Sequence, residues 1–245
     1  MTNGVPCFLR GTHIRAPEGE RKIEELKIGD PVVTLSGKSK PIKWIACERF
    51  KKSSEHWPED FVPVRISRFA LDERTPHRDI YVSRNHAIYI DGVLIPAKYL
   101  VNGRSITRCA PEGAHTMEYL HIELFAHDVI YAEGMTAETF VSLCGGREHF
   151  DNFAEYYRLY PNEDETAQPS YPCAPLLWGR RPRLEGAMQP LRNLLQPWID
   201  MRTTRDKIRD RLAARPCGFL PECAAAAAYR TARSPYKQAR AAHWD

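Results

Sequence analysis

Three short segments of the chain carry side chains that could do chemistry together. The first holds Cys7, six residues into the sequence. A cysteine attacks as its thiolate, and it needs a base or a positive neighbour to reach that form. A small buried apolar side chain is the alternative role, because free cysteines are often fully buried. The type and place of Cys7 therefore predict a candidate nucleophile and leave the structural role open.

The second segment is Ser83-Arg84-Asn85-His86, which follows an apolar β-type run. A hydroxyl and an imidazole three residues apart at the end of a strand can converge on one backbone group. The hydroxyl of Ser83 can donate to a carbonyl, and the imidazole of His86 can give a proton to a departing amide nitrogen. A local bond from the serine to the backbone, with a histidine on the surface, is the alternative.

The third segment runs from His121 to Asp128 and contains Glu123, His127 and Asp128. His121 and Glu123 share one face of a predicted strand, and His127-Asp128 lies at its turn. These side chains could line a reactive centre. His121, Glu123 and His127 could equally hold a metal ion, so a metal-binding enzyme stays open as an alternative.

The elements that must position these residues are short strands. Residues 7–150 hold β-type runs separated by turn residues, which is typical of an all-β domain. The clearest local pattern is Ala87–Ile90, Asp91-Gly92 and Val93–Ile95. Asp and Gly tolerate the positive φ of a type I′ turn, so these residues predict a two-residue hairpin. Residues 23–26 predict a single helical turn.

Composition limits the functions of the chain. Lys and Arg number 35 against 31 Asp and Glu, and residues 1–150 carry 20 of each sign. A neutral β-rich part gives no reason to expect nucleic acid there. No stretch is apolar enough for a transmembrane helix, and no secretory signal is evident. We therefore expect no membrane association and a cytoplasmic protein. Seven cysteines without a C-x-x-C pair do not resemble a disulfide framework or a zinc ribbon.

The chain divides into three parts by composition. Residues 1–150 are the β-rich domain, and residues 151–183, rich in Tyr and Pro, are interpreted as a linker or a strap over it. Residues 184–245 form a mildly basic, helical extension. Its predicted helical part, residues 184–214, includes a strongly charged stretch from Ile199 and is interrupted by Pro190 and Pro197. This extension could hold a partner protein through an apolar stripe.

Taken in order, the segments resemble the Hint fold, which Hedgehog autoprocessing domains and inteins share. The resemblance rests on Cys7-Phe8-x-x-Gly11-Thr12, on residues 23–34 with Gly29-Asp30, on Ser83-x-x-His86 and on the block from Tyr119 to Asp128. It covers about residues 5–145 and is nearest to bacterial Hint-domain proteins. It implies a mainly β, horseshoe-like fold with a pseudo-two-fold axis, followed by an irregular and helical C-terminal tail.

The resemblance also implies site residues. Cys7 matches the initiating nucleophile, and Ser83 and His86 match the Thr-x-x-His block that polarises the scissile peptide bond. His121 lies nearest the position where inteins often carry an Asp that assists the cysteine, and His127-Asp128 matches the His-Asn pair of that block. Gly29-Asp30 is a structural turn. No cofactor or metal is implied.

The implied reaction is an N-to-S acyl shift in which Cys7 attacks the Pro6 carbonyl and the protein's own N-terminal segment is the substrate. His86 gives a proton to the Cys7 nitrogen, and Ser83 with nearby N–H groups holds the oxyanion. Gly134 is followed by Met135-Thr136-Ala137 and by no intein-type Asn ending, so splicing is not expected. A Hint scaffold that has lost catalysis and acts as a binding or structural module is the alternative.

Overall fold

The computed structural model describes residues 5–141, 146–163, 172–177 and 203–215. Within these ranges the chain forms 13 strands, two α-helices and four 3-10 turns. None of these helices has the length and apolar character to cross a lipid bilayer. The predicted mainly β fold is confirmed.

The first sheet has seven strands. In spatial order they are β10 (Ile106–Arg108), β6 (Val64–Ile66), β7 (Ile80–Val82), β1 (Phe8–Leu9), β11 (Thr116–Leu124), β5 (Ser39–Lys51) and β4 (Pro31–Val33). Strand β1 lies between β7 and β11, with Phe8 opposite both Val82 and Leu120. Because β1 is central, it places the start of the chain between the two segments that contain the candidate site residues Ser83 and His121.

The second sheet has six strands. In spatial order they are β3 (Gly19–Lys22), β2 (His13–Ala16), β12 (Val129–Ala132), β13 (Met135–Glu138), β8 (Ala87–Ile90) and β9 (Val93–Pro96). The predicted hairpin is the β8–β9 pair. Asp91 and Gly92 have φ of 51° and 84°, the left-handed pair that a type I′ turn requires. The predicted helical turn is the 3-10 turn at Ile23–Glu25.

The apolar side chains form two main clusters. The larger contains residues of both sheets, including Phe8, Ile14, Ile88 and Ile130. The second includes Cys7, Leu9, Trp44 and Tyr119 together with three aromatic residues from further along the chain, Phe140, Phe150 and Tyr156. Cys7 and Phe8 therefore belong to different clusters, as the alternation of side chains along a strand requires.

The residues after 145 that the structure describes include two helices. Helix α1 (Phe153–Leu159) buries Tyr156 in the second cluster, so the part of the predicted linker or strap that the structure describes packs on the β domain. Helix α2 (Thr204–Ala214) lies within the predicted helical stretch and packs Ile208 and Leu212 into the larger cluster. Residues 184–202, with Pro190 and Pro197, and residues 216–245 lie outside the described ranges.

Candidate active site

The side chain of Ser83 contacts both residues that flank Pro6. Its Oγ accepts a hydrogen bond from the backbone N–H of Cys7 at 2.8 Å and donates one to the carbonyl of Val5 at 2.7 Å. The backbone N–H of Ser83 also donates to the Cys7 carbonyl at 2.8 Å. These three bonds extend the pairing of β1 with β7 by one residue. They fix the Pro6–Cys7 peptide bond against the start of the Ser83–His86 segment.

A narrow cleft lies beside Cys7 and is lined by Val5, Ser83, Glu48 and Tyr119 among others. Cys7 is 1% exposed. Burial raises the pKa of its thiol well above the usual value, and the negative charges of Glu48 and Cys47 raise it further. The resting Cys7 is therefore a thiol and not a thiolate.

Glu48 is a half-buried carboxyl in the same cleft. Strand pairing explains its position, because Leu9 lies opposite Tyr119 on one side and Tyr119 lies opposite Glu48 on the other. Cross-strand neighbours share a sheet face, and Cys7 shares that face with Leu9. Burial and the charge of Asp151 raise the pKa of Glu48 to about 7. Near neutral pH this carboxyl can therefore hold or release a proton beside the thiol.

The predicted histidines His86 and His121 lie side by side in the interior. Their ring centroids are 4.9 Å apart in a T-shaped arrangement, and Phe8 lies 4.2 Å from the His86 ring. Both histidines are fully buried, and none of their four ring nitrogens makes a hydrogen bond of good geometry, although backbone groups of Cys7 and Glu138 lie close to the His86 ring. Unpartnered buried polar atoms are rare in native proteins and call for an explanation.

Burial also sets the charge of these two imidazoles. It lowers the pKa of His86 to about 3, although backbone groups of Cys7 and Glu138 partly oppose the shift. It also lowers the pKa of His121 well below the usual value, and repulsion from His86 and His127 in their protonated forms acts in the same direction. Both rings are therefore neutral at pH 7, with one nitrogen as donor and one as acceptor.

His127 and Asp128 point to different surroundings. The Nδ1 of His127 accepts a hydrogen bond from the Cys173 N–H at 2.8 Å, and its Nε2 lies 3.7 Å from the buried Glu138. Burial opposes protonation of His127, whereas the Cys173 side chain and the Glu138 carboxylate raise its pKa to about 9. A ring protonated on Nδ1 could not accept the Cys173 N–H, so that hydrogen bond belongs to the neutral ring. Glu138 in turn accepts from the N–H of Ala87, next to His86. His127 is therefore connected to the His86 segment indirectly, through Glu138 and the backbone of Ala87.

Asp128 belongs to a turn. One carboxylate oxygen forms an ion pair with Lys40 at 2.7 Å, and the other accepts the N–H of Val129. Its backbone pairs with Thr139. Gly29-Asp30 is likewise a turn, where Asp30 holds the N–H of Lys27 and the guanidinium of Arg21.

Glu123 forms two buried ion pairs. It lies 3.1 Å from Lys43 and 2.7 Å from Arg147, and all three side chains are buried. Within the ranges that the structure covers, His121, Glu123 and His127 do not converge into a group of metal ligands. The contacts of Glu123 are those of a buried ion-pair network that holds the 3-10 turn Arg147–His149 on the sheet.

Sequence reasoning missed Glu48, Tyr119 as part of the cleft, and Glu138. No local motif marks these residues. Glu48 lies 41 residues from Cys7 along the chain, and only the register of β11 with β5 brings it to the cleft. Glu48 could have been found from the sequence only by predicting the register of β11 with β5 correctly.

The fold and the site define a class of protein. A two-sheet β domain whose first strand begins with a buried cysteine, bonded through its own backbone to a Ser-x-x-His segment, has the arrangement of an autoprocessing-type domain. The family model described as Hint domain matches residues 6–143, more than half of the chain. The chain belongs to the Hint domain family.

Solved structures of similar fold include inteins. The chain is similar to the gp41-1 intein, with 15% identity, a TM-score of 0.33 and coverage of 54% of this chain and 97% of that one. It is similar to the MchDnaB-1 intein, with 11% identity, a TM-score of 0.37 and coverage of 54% and 99%. A bacterial intein-like domain from Clostridium thermocellum is 13% identical, with a TM-score of 0.38 and coverage of 55% and 98%. No curated protein shows significant similarity.

Proposed function

We propose that the protein cleaves its own chain at the Pro6–Cys7 bond by an N-to-S acyl shift, without splicing. The observation that carries the proposal is the contact of Ser83 with Cys7 and Val5, because it holds the two residues on either side of the acyl donor. A fixed geometry of this kind lowers the entropic cost of the attack. The substrate is the segment that precedes Cys7.

The first step needs a proton acceptor for the Cys7 thiol, and we assign it to Glu48. The imidazoles of His86 and His121 are weak bases after burial and make no hydrogen bond to the sulfur. Glu48 shares the cleft with Cys7, and a pKa of about 7 suits a general base at neutral pH. The sulfur then attacks the Pro6 carbonyl carbon, and the C–S bond forms.

The second step breaks the bond between the Pro6 carbonyl carbon and the Cys7 nitrogen, which must take up a proton. His86, beside the Cys7 backbone, is neutral. A neutral imidazole can donate from one ring nitrogen while it accepts at the other, so it passes a proton without becoming charged. Ser83 contacts the nitrogen of this bond rather than its carbonyl, so we assign it to positioning that nitrogen and not to the oxyanion. Glu48 then returns the proton it took from the sulfur to the imidazole, so that one proton has moved from sulfur to nitrogen and both residues end as they began.

The product is a thioester between Pro6 and the Cys7 sulfur. Water, a thiol or another nucleophile can resolve it and release the segment that precedes Cys7. Hydroxylamine added to the purified chain would trap the acyl group as a hydroxamate, which intact-mass spectrometry detects. The proposal expects this product from the native chain and none from Cys7→Ala. Retention of the full uncleaved mass by both proteins after treatment would refute it.

One observation favours the second candidate, a Hint scaffold without catalysis. Burial and Glu48 keep the Cys7 thiol protonated, which opposes nucleophilic attack. This candidate has the same fold and the same Ser83 contacts, and it differs only in the absence of acyl transfer. The hydroxylamine experiment separates the two.

A further inference from the structure

A second cluster of potential ligands lies away from the Cys7 cleft. It joins Glu20 on β3, His77 in the loop before β7, and Glu133 at the turn between β12 and β13. The Nε2 of His77 lies 3.0 Å from Glu20 Oε2 and 3.2 Å from Glu133 Oε2. One ligand atom from each of the three residues falls within 4.8 Å of the other two. None of the three lines the cleft beside Cys7.

The two oxygens of Glu133 have different surroundings, although the residue is only 3% exposed. Its Oε1 accepts the backbone N–H of His13 at 2.8 Å and lies 2.8 Å from the Nδ1 of the same residue. Its Oε2 is buried and has no hydrogen-bond partner. A buried carboxylate oxygen without a partner is costly in free energy. The contacts of His13 hold Glu133 so that this unpartnered oxygen faces His77 and Glu20.

We propose that Glu20, His77 and Glu133 bind one divalent transition-metal ion of the zinc type. An imidazole nitrogen with two carboxylate oxygens is a donor set that such ions accept, at about 2.0–2.2 Å from the metal. Ligands at those distances in a tetrahedron lie about 3.3–3.5 Å from one another, which follows from the same bond lengths. The Nε2–oxygen separations of 3.0 and 3.2 Å are slightly shorter than that spacing, and the two carboxylate oxygens lie within 4.8 Å of each other.

An ion pair alone does not account for this arrangement. A single imidazole N–H can point well at one acceptor, whereas two carboxylate oxygens converge here on one ring nitrogen. A metal ion on the Nε2 lone pair would satisfy both oxygens together, including the unpartnered Oε2. His13 would act as the outer partner that orients a ligating carboxylate, which is usual around protein-bound metals.

The backbone at the cluster also favours this position of His77. Gly134 has a φ of 78°, and a Cβ at this residue would lie 2.8 Å from the Nδ1 of His77. Only glycine therefore allows the turn and the imidazole ring to lie together. The ion would join β3, the loop before β7 and the β12–β13 turn, and so would be a structural cation independent of the acyl shift.

The test is calorimetric titration of the full chain, stripped with a chelator, with Zn²⁺. Cys7→Ser is the common background, so that the thiol at the candidate active site does not compete. Variants His77→Ala and Glu133→Gln remove ligands, and Gln keeps the shape and the Oε1 acceptor of Glu133. The exposed Glu18→Gln and His56→Ala are matched controls. Circular dichroism checks that each variant is folded, and the exposed Glu20→Gln gives a ligand variant with little risk to folding.

The proposal expects all three ligand variants to bind one equivalent of Zn²⁺ fewer than the background protein and the two controls. A hundredfold excess of Zn²⁺ over Kd should raise the Tm by about 5–10 °C, and this rise should vanish in His77→Ala. His13→Phe should weaken binding about 10- to 100-fold. Unchanged stoichiometry in folded His77→Ala and Glu133→Gln, or no binding by the background protein, would overturn the proposal and leave the acyl shift unaffected.

Discussion

The side-chain oxygen of Ser83 lies 2.8 Å from the backbone nitrogen of Cys7, and the backbone nitrogen of Ser83 lies 2.8 Å from the Cys7 carbonyl. Two residues 76 positions apart in the chain thus meet through both their backbones and one hydroxyl. The same hydroxyl holds the Val5 carbonyl. This double contact fixes the nitrogen of the Pro6–Cys7 bond and is the basis of the proposed cleavage.

Loss of the Ser83 hydroxyl should slow the cleavage. In Ser83→Ala the Cys7 N–H and the Val5 carbonyl lose their shared partner, which costs about 1–3 kcal/mol and lowers the rate about ten- to a hundredfold. Ser83→Thr keeps the hydroxyl and should retain activity. The rate of appearance of the chain that begins at Cys7, followed by intact-mass spectrometry, measures the effect. The exposed Ser54→Ala serves as the control, and a rate in Ser83→Ala equal to that control would contradict the assignment.

Neutralising Glu48 should have opposite effects on labelling and on cleavage. The charge of Glu48 raises the pKa of Cys7, so Glu48→Gln should lower that pKa and speed alkylation of Cys7 by iodoacetamide. Cleavage should slow, because the proton acceptor is gone. Peptide mass spectrometry compares the labelling of Cys7 with that of the exposed Cys173, which is an internal standard.

The pH profile of Glu48→Gln gives a second measurement. Glu48 acts as a base only when ionised, so cleavage by the native chain should rise as pH passes through about 7, the pKa of Glu48. The variant should lack this rise. Asp60→Asn changes another acidic residue of the cleft and should keep the native profile. A rise near pH 7 that persists in Glu48→Gln would exclude Glu48 as the acceptor.

His86 should make the fold sensitive to acid. Its folded-state pKa of about 3 lies below the ordinary value of an unfolded chain, so its contribution is present above about pH 6.5 and is lost as pH falls towards 3. Between pH 7 and pH 4.5 the native chain should lose about 2–3 kcal/mol that His86→Gln does not lose. Urea unfolding at the two pH values measures this difference. Equal losses in both proteins would show that His86 is not buried as described.

The ion-pair network of Glu123 should be important for stability. Glu123→Gln removes the buried carboxylate that Lys43 and Arg147 share, which should cost about 3–5 kcal/mol of unfolding free energy. Glu163→Gln removes a partner of Lys43 that is 41% exposed, so its effect should stay below about 1 kcal/mol. Urea denaturation compares the two variants, and similar losses would contradict the ranking.

Local sequence patterns predicted the parts of the site that depend on neighbouring residues. Asp91-Gly92 marked the β8–β9 turn because the left-handed conformation restricts residue choice at those two positions. Ser83 and His86 could be paired because they lie three positions apart in one segment. Residues that meet only through strand register carry no such pattern, and Glu48 is the clearest example.

Helix α1 and Asp128 likewise depend on contacts between distant parts of the chain, which local sequence patterns do not reveal. The seven-residue helix α1 was not predicted, because it is too short for helical periodicity to be visible. Its position depends on burial of Tyr156 beside Trp44, a contact between distant parts of the chain. Asp128 was predicted with the site residues, yet adjacent residues need not share surroundings, and Lys40 and Thr139 hold it in a turn.

The most direct test of the proposed cleavage is intact-mass spectrometry of the full chain during incubation at pH 8 with hydroxylamine. Cys7→Ser, Cys7→Ala and the exposed Cys173→Ala are treated in parallel. The proposal predicts a product that begins at Cys7, together with the matching hydroxamate, from the native chain and from Cys173→Ala, and neither from Cys7→Ala. Cys7→Ser should be slower than the native chain. An unchanged mass for all four proteins, each folded by circular dichroism, would contradict acyl transfer and leave a Hint domain without catalysis.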